Sequence, residues 1–97
     1  MALVETGVGV VISASHRDHL TGQMHGHSYE IIAWFATGDR DARVLQEQLR
    51  AVTAAFDHVV LEDAWGEQLA DKIRGLLHDC VEVEVRRPLE RIYARAK

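Results

Sequence analysis

Residues 26–37, with the sequence GHSYEIIAWFAT, predict a β-strand that is covered on both of its faces. Side chains alternate between the two faces of a strand. Both faces of this stretch become apolar toward its end, as in a buried strand, and Gly38 and Asp39 predict the turn that follows. One face of the predicted strand carries His27, Tyr29, Ile31, Ala33 and Phe35.

A second predicted strand precedes this one along the chain. Residues 7–15, GVGVVISAS, are rich in the β-branched side chains that favour strands. Residues 17–24 are polar and contain Gly22, so they predict a connecting loop. Residues 7–37 are therefore read as strand, loop and strand.

Three histidines lie where these two strands approach the loop. His25 and His27 are two residues apart, so in a strand they point to the same face. If the segment that holds His16 pairs antiparallel beside them, three imidazoles meet. Three neutral imidazoles with an open fourth position form a catalytic type of zinc site, which polarises a carbonyl or activates a water. The alternative is a set of solvated or hydrogen-bonded histidines, which is how we interpret His19 in the loop.

The rest of the chain predicts two helices and two further strands. Asp41 is the predicted N-cap of the first helix. Its apolar stripe is Leu45, Leu49, Val52 and Phe56, and the second helix lines one face with Trp65, Leu69, Ile73, Leu76 and Leu77. Val81, Val83 and Val85 then alternate with Glu82, Glu84 and Arg86 in a half-exposed strand, and residues 91–95 predict the last strand after Pro88.

The predicted order is therefore ββααββ, an α+β domain that spans residues 1–97 as one unit. Its antiparallel sheet carries both helices on one face. Such a sheet leaves its edges exposed, and sheet edges must be paired or covered. Sheets from several subunits that join into a barrel would cover them, so we expect a homo-oligomer.

Composition excludes several classes of protein. The net charge of −4 and the pI near 5.8 argue against a nucleic-acid binder. No apolar run approaches the roughly 18–20 residues of a membrane span, and the N-terminus lacks the layout of a signal peptide. The single cysteine, Cys80, excludes an internal disulfide and is typical of a reducing compartment. We therefore expect a cytoplasmic protein that contacts neither membranes nor nucleic acids.

Several segments resemble, in order, the motifs of the 6-pyruvoyl-tetrahydropterin synthase and 6-carboxytetrahydropterin synthase family. That family has an A-A-H-R-like strand, an L-H-G-H-N/S-Y strand, an L-D-H-x-x-L-N segment and an E-N-L-A-x-x-I helix start. The matching segments here are residues 13–17 (SASHR), 24–29 (MHGHSY), 56–62 (FDHVVLE) and 67–73 (EQLADKI), followed by Ile92-Tyr93 in the closing strand.

This resemblance implies a fold, a metal and a reaction class. The fold is the tunnelling fold (T-fold), whose subunits share an antiparallel barrel, assemble commonly as hexamers and form active sites at subunit boundaries. The metal is zinc on His16, His25 and His27. Asp57 and His58 take the positions of the family's acid/base pair, in a lyase that acts on a small molecule, a dihydropterin. Glu67 opens the matching helix and is assigned to the substrate pocket.

The chain departs from the family where the substrate would bind and react. Thr21 stands at the position of the family's catalytic cysteine, and a hydroxyl is a far weaker acid than a thiol. Arg86 or Arg87 falls where the family has the glutamate that holds the pterin, and arginine offers only donors. Glu84 or Glu90 would take that role if the alignment shifts. Trp65 is read as a core residue or as a stacking surface for a ring.

Two functions follow from these observations. The first is a zinc-dependent lyase or cyclase of the tetrahydropterin synthase type, acting on a pterin or on an anionic substrate of a specialised pathway. Zinc would polarise a hydroxyl or carbonyl of the substrate, and Thr21, Arg86 and Arg87 would contact it. The alternative is a non-catalytic module of the same fold that keeps zinc for assembly or ligand binding.

Overall fold

The computed structural model describes residues 4–18, 20–36, 40–61 and 66–97, and it contains the six predicted elements in the predicted order. The strands and helices are β1 (Glu5–Arg17), β2 (Met24–Ala36), α1 (Ala42–Thr53), α2 (Glu67–Leu76), β3 (Cys80–Arg87) and β4 (Ile92–Ala96). A short 3-10 helix, Ala54–Phe56, follows α1. No helix in these residues is long and apolar enough to cross a lipid bilayer.

The four strands form one antiparallel sheet in the order β1-β2-β3-β4. β1 and β2 pair along their whole length, from Glu5 opposite Ala36 to Arg17 opposite Met24. Both strands are longer than the sequence pattern predicted, since each reaches into the polar segment between them. The pairing of β1 with β2 therefore continues through the histidine positions.

Both helices pack on the same face of the sheet, α1 against β1 and α2 against β3 and β4. Asp41 caps α1 as predicted, because its carboxylate accepts a hydrogen bond of 2.8 Å from the Arg43 amide. The surfaces that the sheet and the two helices turn toward each other are apolar. The burial of these surfaces holds the helices on the sheet. Its buried side chains include Val8, Val10, Ile12, Tyr29, Ile31, Phe35, Leu45, Leu49, Leu69, Ile73, Val83 and Val85.

β3 departs from the predicted alternation near its start. The register between β2 and β3 shifts after Trp34, so that Cys80 rather than Val81 lies opposite Phe35. This bulge turns Val81 outward, and Cys80 takes the buried place. Leu76, predicted on the inner face of α2, is also exposed because it is the last residue of that helix.

Glu84 is buried, although the pattern predicted an exposed strand position. Its carboxylate accepts hydrogen bonds from Arg86, with Nε at 2.9 Å from Oε1 and Nη2 at 3.3 Å from Oε2. Arg95, its partner across the β3–β4 pair, lies 3.8 Å away. These guanidinium groups neutralise the carboxylate on the sheet face that carries no helix.

The segment after the 3-10 helix lies along the outer edge of β1. His58 donates a backbone hydrogen bond to the Ser13 carbonyl, Ser15 to Val59, and Leu61 to Ser15. Ser15 and Val60 form a parallel bridge. Part of the β1 edge is therefore paired within the chain, and Asp57 and His58 are held beside the sheet.

Candidate functional site

The three histidines lie at one end of the buried sheet face, where β1 and β2 continue past their apolar residues. His16 lies directly opposite His25 in the β1–β2 register, and His27 follows on the same face. The ring centroids are 4.8 Å apart for His16 and His27 and 6.3 Å apart for each pair that includes His25. Strand alternation therefore brings all three imidazoles into one cluster.

Two of these rings point their Nε2 atoms at each other. The Nε2 atoms of His16 and His27 are 2.9 Å apart. The Nδ1 of His27 lies 2.7 Å from a carboxylate oxygen of Glu90, and the Nδ1 of His16 lies 3.3 Å from the Arg17 carbonyl. The carboxylate at Nδ1 of His27 favours a proton there, so the Nε2 lone pair of His27 accepts a hydrogen bond from the Nε2–H of His16. A bound metal would take the place of that proton, and the His16 proton would then lie on Nδ1 beside the Arg17 carbonyl.

His25 is placed differently. Its Nε2 lies 3.5 Å from Asp18, and its side chain is about two-fifths exposed. In donor type the cluster fits Zn²⁺, which imidazole nitrogens bind readily. In placement only His16 and His27 are aligned, and within the described residues no group of three or more histidine, cysteine or acidic side chains is arranged so that it could hold a metal ion.

Arg87 brings a positive charge into the cluster. Its Nη2 lies 3.1 Å from the Nε2 of His27 and 3.3 Å from Glu90. Burial and the nearby Arg87 guanidinium lower the pKa of His27, against the opposing effect of Glu90. His27 is therefore held neutral at pH 7, which is the form that ligates a metal.

A pocket of about 380 Å³ opens on these residues. Its walls are His16, Arg17, Asp18, Leu20, His25, His27, Arg87 and Ile92. Two arginines and one aspartate lie in this lining, and Glu90, at its border, contacts Arg87 at 3.3 Å, so the charges of these four side chains balance. The guanidinium groups of Arg17 and Arg87 are the donors that the pocket offers to an anion.

Asp57 and His58 form the second polar group of the site. The Asp57 carboxylate accepts hydrogen bonds from the Ser13 amide at 2.9 Å and pairs with the Nδ1 of His58 at 3.0 Å. The Ser13 amide is the main reason that the pKa of Asp57 lies below its ordinary value. His58 has a left-handed backbone, φ 58°, and its side chain is 80% exposed.

A second pocket, of about 520 Å³, connects the two groups. His58 and Val59 form one wall, and His27 and Glu90 also border the cavity. The backbone pairing of residues 58–61 with β1 is what places His58 there. The structure thus brings His58 of the predicted acid/base pair and one predicted zinc ligand, His27, to the same cavity.

A solved structure has the same architecture. The structure of 6-pyruvoyl tetrahydropterin synthase from Caenorhabditis elegans aligns over 100% of this chain and 96% of its own, with a TM-score of 0.75 and 16% sequence identity. The chain has the T-fold of that synthase. No protein-family model matches the sequence, and no curated protein matches it either.

The remaining predicted residues differ in how they relate to this T-fold site. Arg86 lies on the opposite sheet face, bound to Glu84 and 3.4 Å from Glu30, so Arg87 is the arginine that faces the histidines. Thr21 is exposed in the β1–β2 turn, where its hydroxyl accepts a hydrogen bond from the Gln23 amide. Thr21 and Glu67, the exposed first residue of α2, do not line either pocket that contains a histidine.

Sequence reasoning considered Glu90 only as a replacement for a pterin-binding glutamate. In the structure Glu90 contacts His27, which lies 63 residues away along the chain. No local pattern could indicate this contact, because it depends on the β1-β2-β3-β4 order and on the turn between β3 and β4. Trp65 and His19 lie outside the described residues.

Proposed function

We propose that this chain is a zinc-dependent lyase or cyclase that resembles the tetrahydropterin synthases. The observation that carries the proposal is the alignment of His16 and His27, whose Nε2 atoms face each other at 2.9 Å while each Nδ1 faces an acceptor. His25, opposite His16 in the sheet, supplies the third imidazole. When bound, Zn²⁺ would act as a Lewis acid that polarises a hydroxyl or carbonyl oxygen of the substrate.

In this proposal the Asp57–His58 pair transfers the proton. Asp57 accepts a hydrogen bond from the Nδ1 of His58, which leaves Nε2 to take a proton from the substrate and return it later. The Ser13 amide keeps the Asp57 carboxylate ionised and correctly placed. An exposed His58 beside a cavity is suited to this role because substrate and solvent both reach it.

The position of Arg87 in the same pocket favours an anionic substrate. A guanidinium offers donors only and binds carboxylate or phosphate groups in preference to the N–H edge of a pterin. Arg86 lies on the other sheet face and Arg87 lines the histidine pocket, so the specificity of the site is assigned to Arg87. A substrate of this site would place a carboxylate or phosphate beside Arg87 and a hydroxyl or carbonyl near the histidines.

Metal content and titration calorimetry test the zinc proposal directly. The purified chain is expected to bind one Zn²⁺. Each of the two single variants, His16→Ala and His27→Ala, is expected to lose this zinc binding. His78→Ala, a histidine in the turn after α2, is the control and should bind zinc as before. Unchanged zinc binding in both site variants would exclude this metal site.

Ligand titration then separates the two substrate classes. Inorganic phosphate is expected to bind the zinc-loaded protein, more weakly in Arg87→Gln and with little change in Arg43→Gln, a surface arginine of α1. Tight binding of a reduced pterin, unaffected by Arg87→Gln, would instead support a pterin substrate.

A non-catalytic, zinc-retaining module is the second candidate function. It is supported by Thr21, which replaces the reactive thiol of the synthases, and by Cys80, which is buried in β3. Removing zinc should then change the oligomeric state or the melting temperature. Loss of proton exchange or turnover in His58→Ala would contradict this second function.

A further inference from the structure

We infer that Glu90 is a positioning residue that fixes His27 as its Nδ1–H tautomer, so that the Nε2 lone pair faces His16 and the metal position. The inference deepens the proposed function, and only its metal-affinity consequence rests on that function. The tautomer itself is a property of the metal-free protein.

The contact between Glu90 and His27 is short. The Glu90 Oε1 lies 2.7 Å from Nδ1 of His27, within the range of a charge-assisted hydrogen bond. The His27 side chain is only 12% exposed, so water competes little for this nitrogen. A carboxylate accepts only, which requires that the proton of a neutral His27 lie on Nδ1.

Arg87 holds the Glu90 carboxylate beside the ring. Its Nη2 is 3.1 Å from Nε2 and 3.3 Å from Nδ1 of His27, and 3.3 Å from Glu90. At these nearly equal distances the guanidinium does not itself select between the two ring nitrogens. The choice of tautomer is therefore assigned to Glu90, and Arg87 keeps the Glu90 carboxylate in place.

The turn between β3 and β4 is shaped to present this carboxylate. Residues 88–91 form the turn, and the Arg91 amide donates to the Pro88 carbonyl at 3.3 Å. The φ of Arg91 is 58°, in the left-handed region that residues other than glycine rarely adopt. The turn keeps this strained residue directly after Glu90, which is consistent with a functional demand on the position of Glu90.

The result is a line of contacts across the sheet. It runs from Glu90 in the turn to His27 on β2 and then to His16 on β1, whose Nδ1 faces the Arg17 carbonyl. Carboxylates that hold metal-bound histidines in this way commonly contribute 10- to 100-fold to metal affinity. Glu90 is thereby assigned to the control of metal affinity, a role distinct from substrate contact.

Imidazole NMR of the metal-free protein tests the tautomer. In the wild type, the ¹⁵N shifts of His27 are expected to report a single Nδ1–H form. Glu90→Ala should shift His27 toward a mixture with the Nε2–H form, and Glu90→Gln, which keeps an acceptor oxygen, should shift it less. Glu47→Ala, an exposed glutamate of α1, is the control. A His27 tautomer that is the same in wild type and Glu90→Ala would overturn the inference.

Competition with a chelator tests the metal consequence. If the wild type binds Zn²⁺, Glu90→Ala should bind it roughly 10- to 100-fold more weakly, Glu90→Gln less so, and Glu47→Ala as the wild type does. Equal affinities in wild type and Glu90→Ala would overturn the role of Glu90 and leave the zinc site intact. A wild type that binds no zinc would exclude the proposed function, and the NMR result alone would then decide the assignment of Glu90.

Discussion

The chemistry of individual residues here is set by neighbours that are distant in the sequence. Burial and the Arg87 guanidinium lower the pKa of His27, and the strand amide of Ser13 is the main cause of the lowered pKa of Asp57. Burial also favours the neutral form of Cys80, since it raises the pKa of the thiol. The main cause of each pKa shift is burial or a distant strand amide, and neither can be predicted from the adjacent residues in the chain.

Asp57 links the stability of the fold to pH. Its pKa is lower in the folded state than the unfolded value of 3.8, so its carboxylate stabilises the fold above that pH. This contribution is lost as the pH falls below 3.8 through the folded-state pKa. We expect Asp57→Asn to unfold at lower urea than the wild type at pH 7, with the difference shrinking toward pH 2. Asp71→Asn on the exposed side of α2 is the control, and a pH-independent difference would contradict this explanation.

Cys80 should be unreactive in the folded protein. Its side chain is buried, its Sγ lies 3.3 Å from the Glu82 carbonyl, and a raised pKa leaves little thiolate at pH 8. We expect a thiol reagent to label it slowly under native conditions and rapidly in urea. Rapid labelling of the native protein would contradict this expectation and would show that the thiol is available for chemistry.

At the scale of elements, the close contact between β1 and β2 depends on glycine. A Cβ at Gly7 would lie 2.8 Å from the ring of Trp34, which is opposite it in the register. Gly7→Ala is therefore expected to destabilise the protein by about 1–3 kcal/mol, because the indole must move. Gly9→Ala is the matched control, since its nearest contact would be an ordinary 3.5 Å. Urea denaturation measures both, and equal effects would contradict the clash.

The elements were largely predictable because their patterns are long and periodic. The buried face of β2 and the cap and stripe of α1 follow directly from alternation and helical period. The bulge beside Trp34 was not predictable, because it depends on how β3 meets β2. The burial of Glu84 was missed for the same reason, since Arg95, one of the groups that compensate it, comes from another strand.

At the scale of the whole molecule, the predicted α+β architecture is confirmed, and the T-fold of the synthase structure matches it. The candidate site was predictable in part: the spacing of His25 and His27 predicted one strand face, and His16 joins them through the antiparallel pairing of β1 with β2. The partners that orient those rings, Glu90 and Arg87, were not assigned this role, since the turn after β3 brings them there. The residue types of the site could be read from the sequence, whereas the long-range contacts that orient them could not be predicted.

Homo-oligomeric assembly remains a prediction at this scale. β4 forms the second edge of the sheet and carries the exposed side chains of Ile92 and Tyr93. If copies of the chain cover this edge, the folded state is coupled to association, and the melting temperature should rise with protein concentration. Calorimetry over a 100-fold concentration range, with light scattering for the mass, measures this. A constant melting temperature and a monomeric mass would exclude an assembly of this kind.

The unbroken pairing of β1 with β2 restricts how this protein can change. One inserted or deleted residue inside either strand would turn the apolar side chains and the histidines beyond it to the opposite face. Such a change would remove core and site together, so length variation is tolerable only in the connecting turns. Two of those turns carry Asp18 and Glu90. New chemistry could therefore arise by insertion around a fixed set of imidazoles, while the strands that hold them stay unaltered.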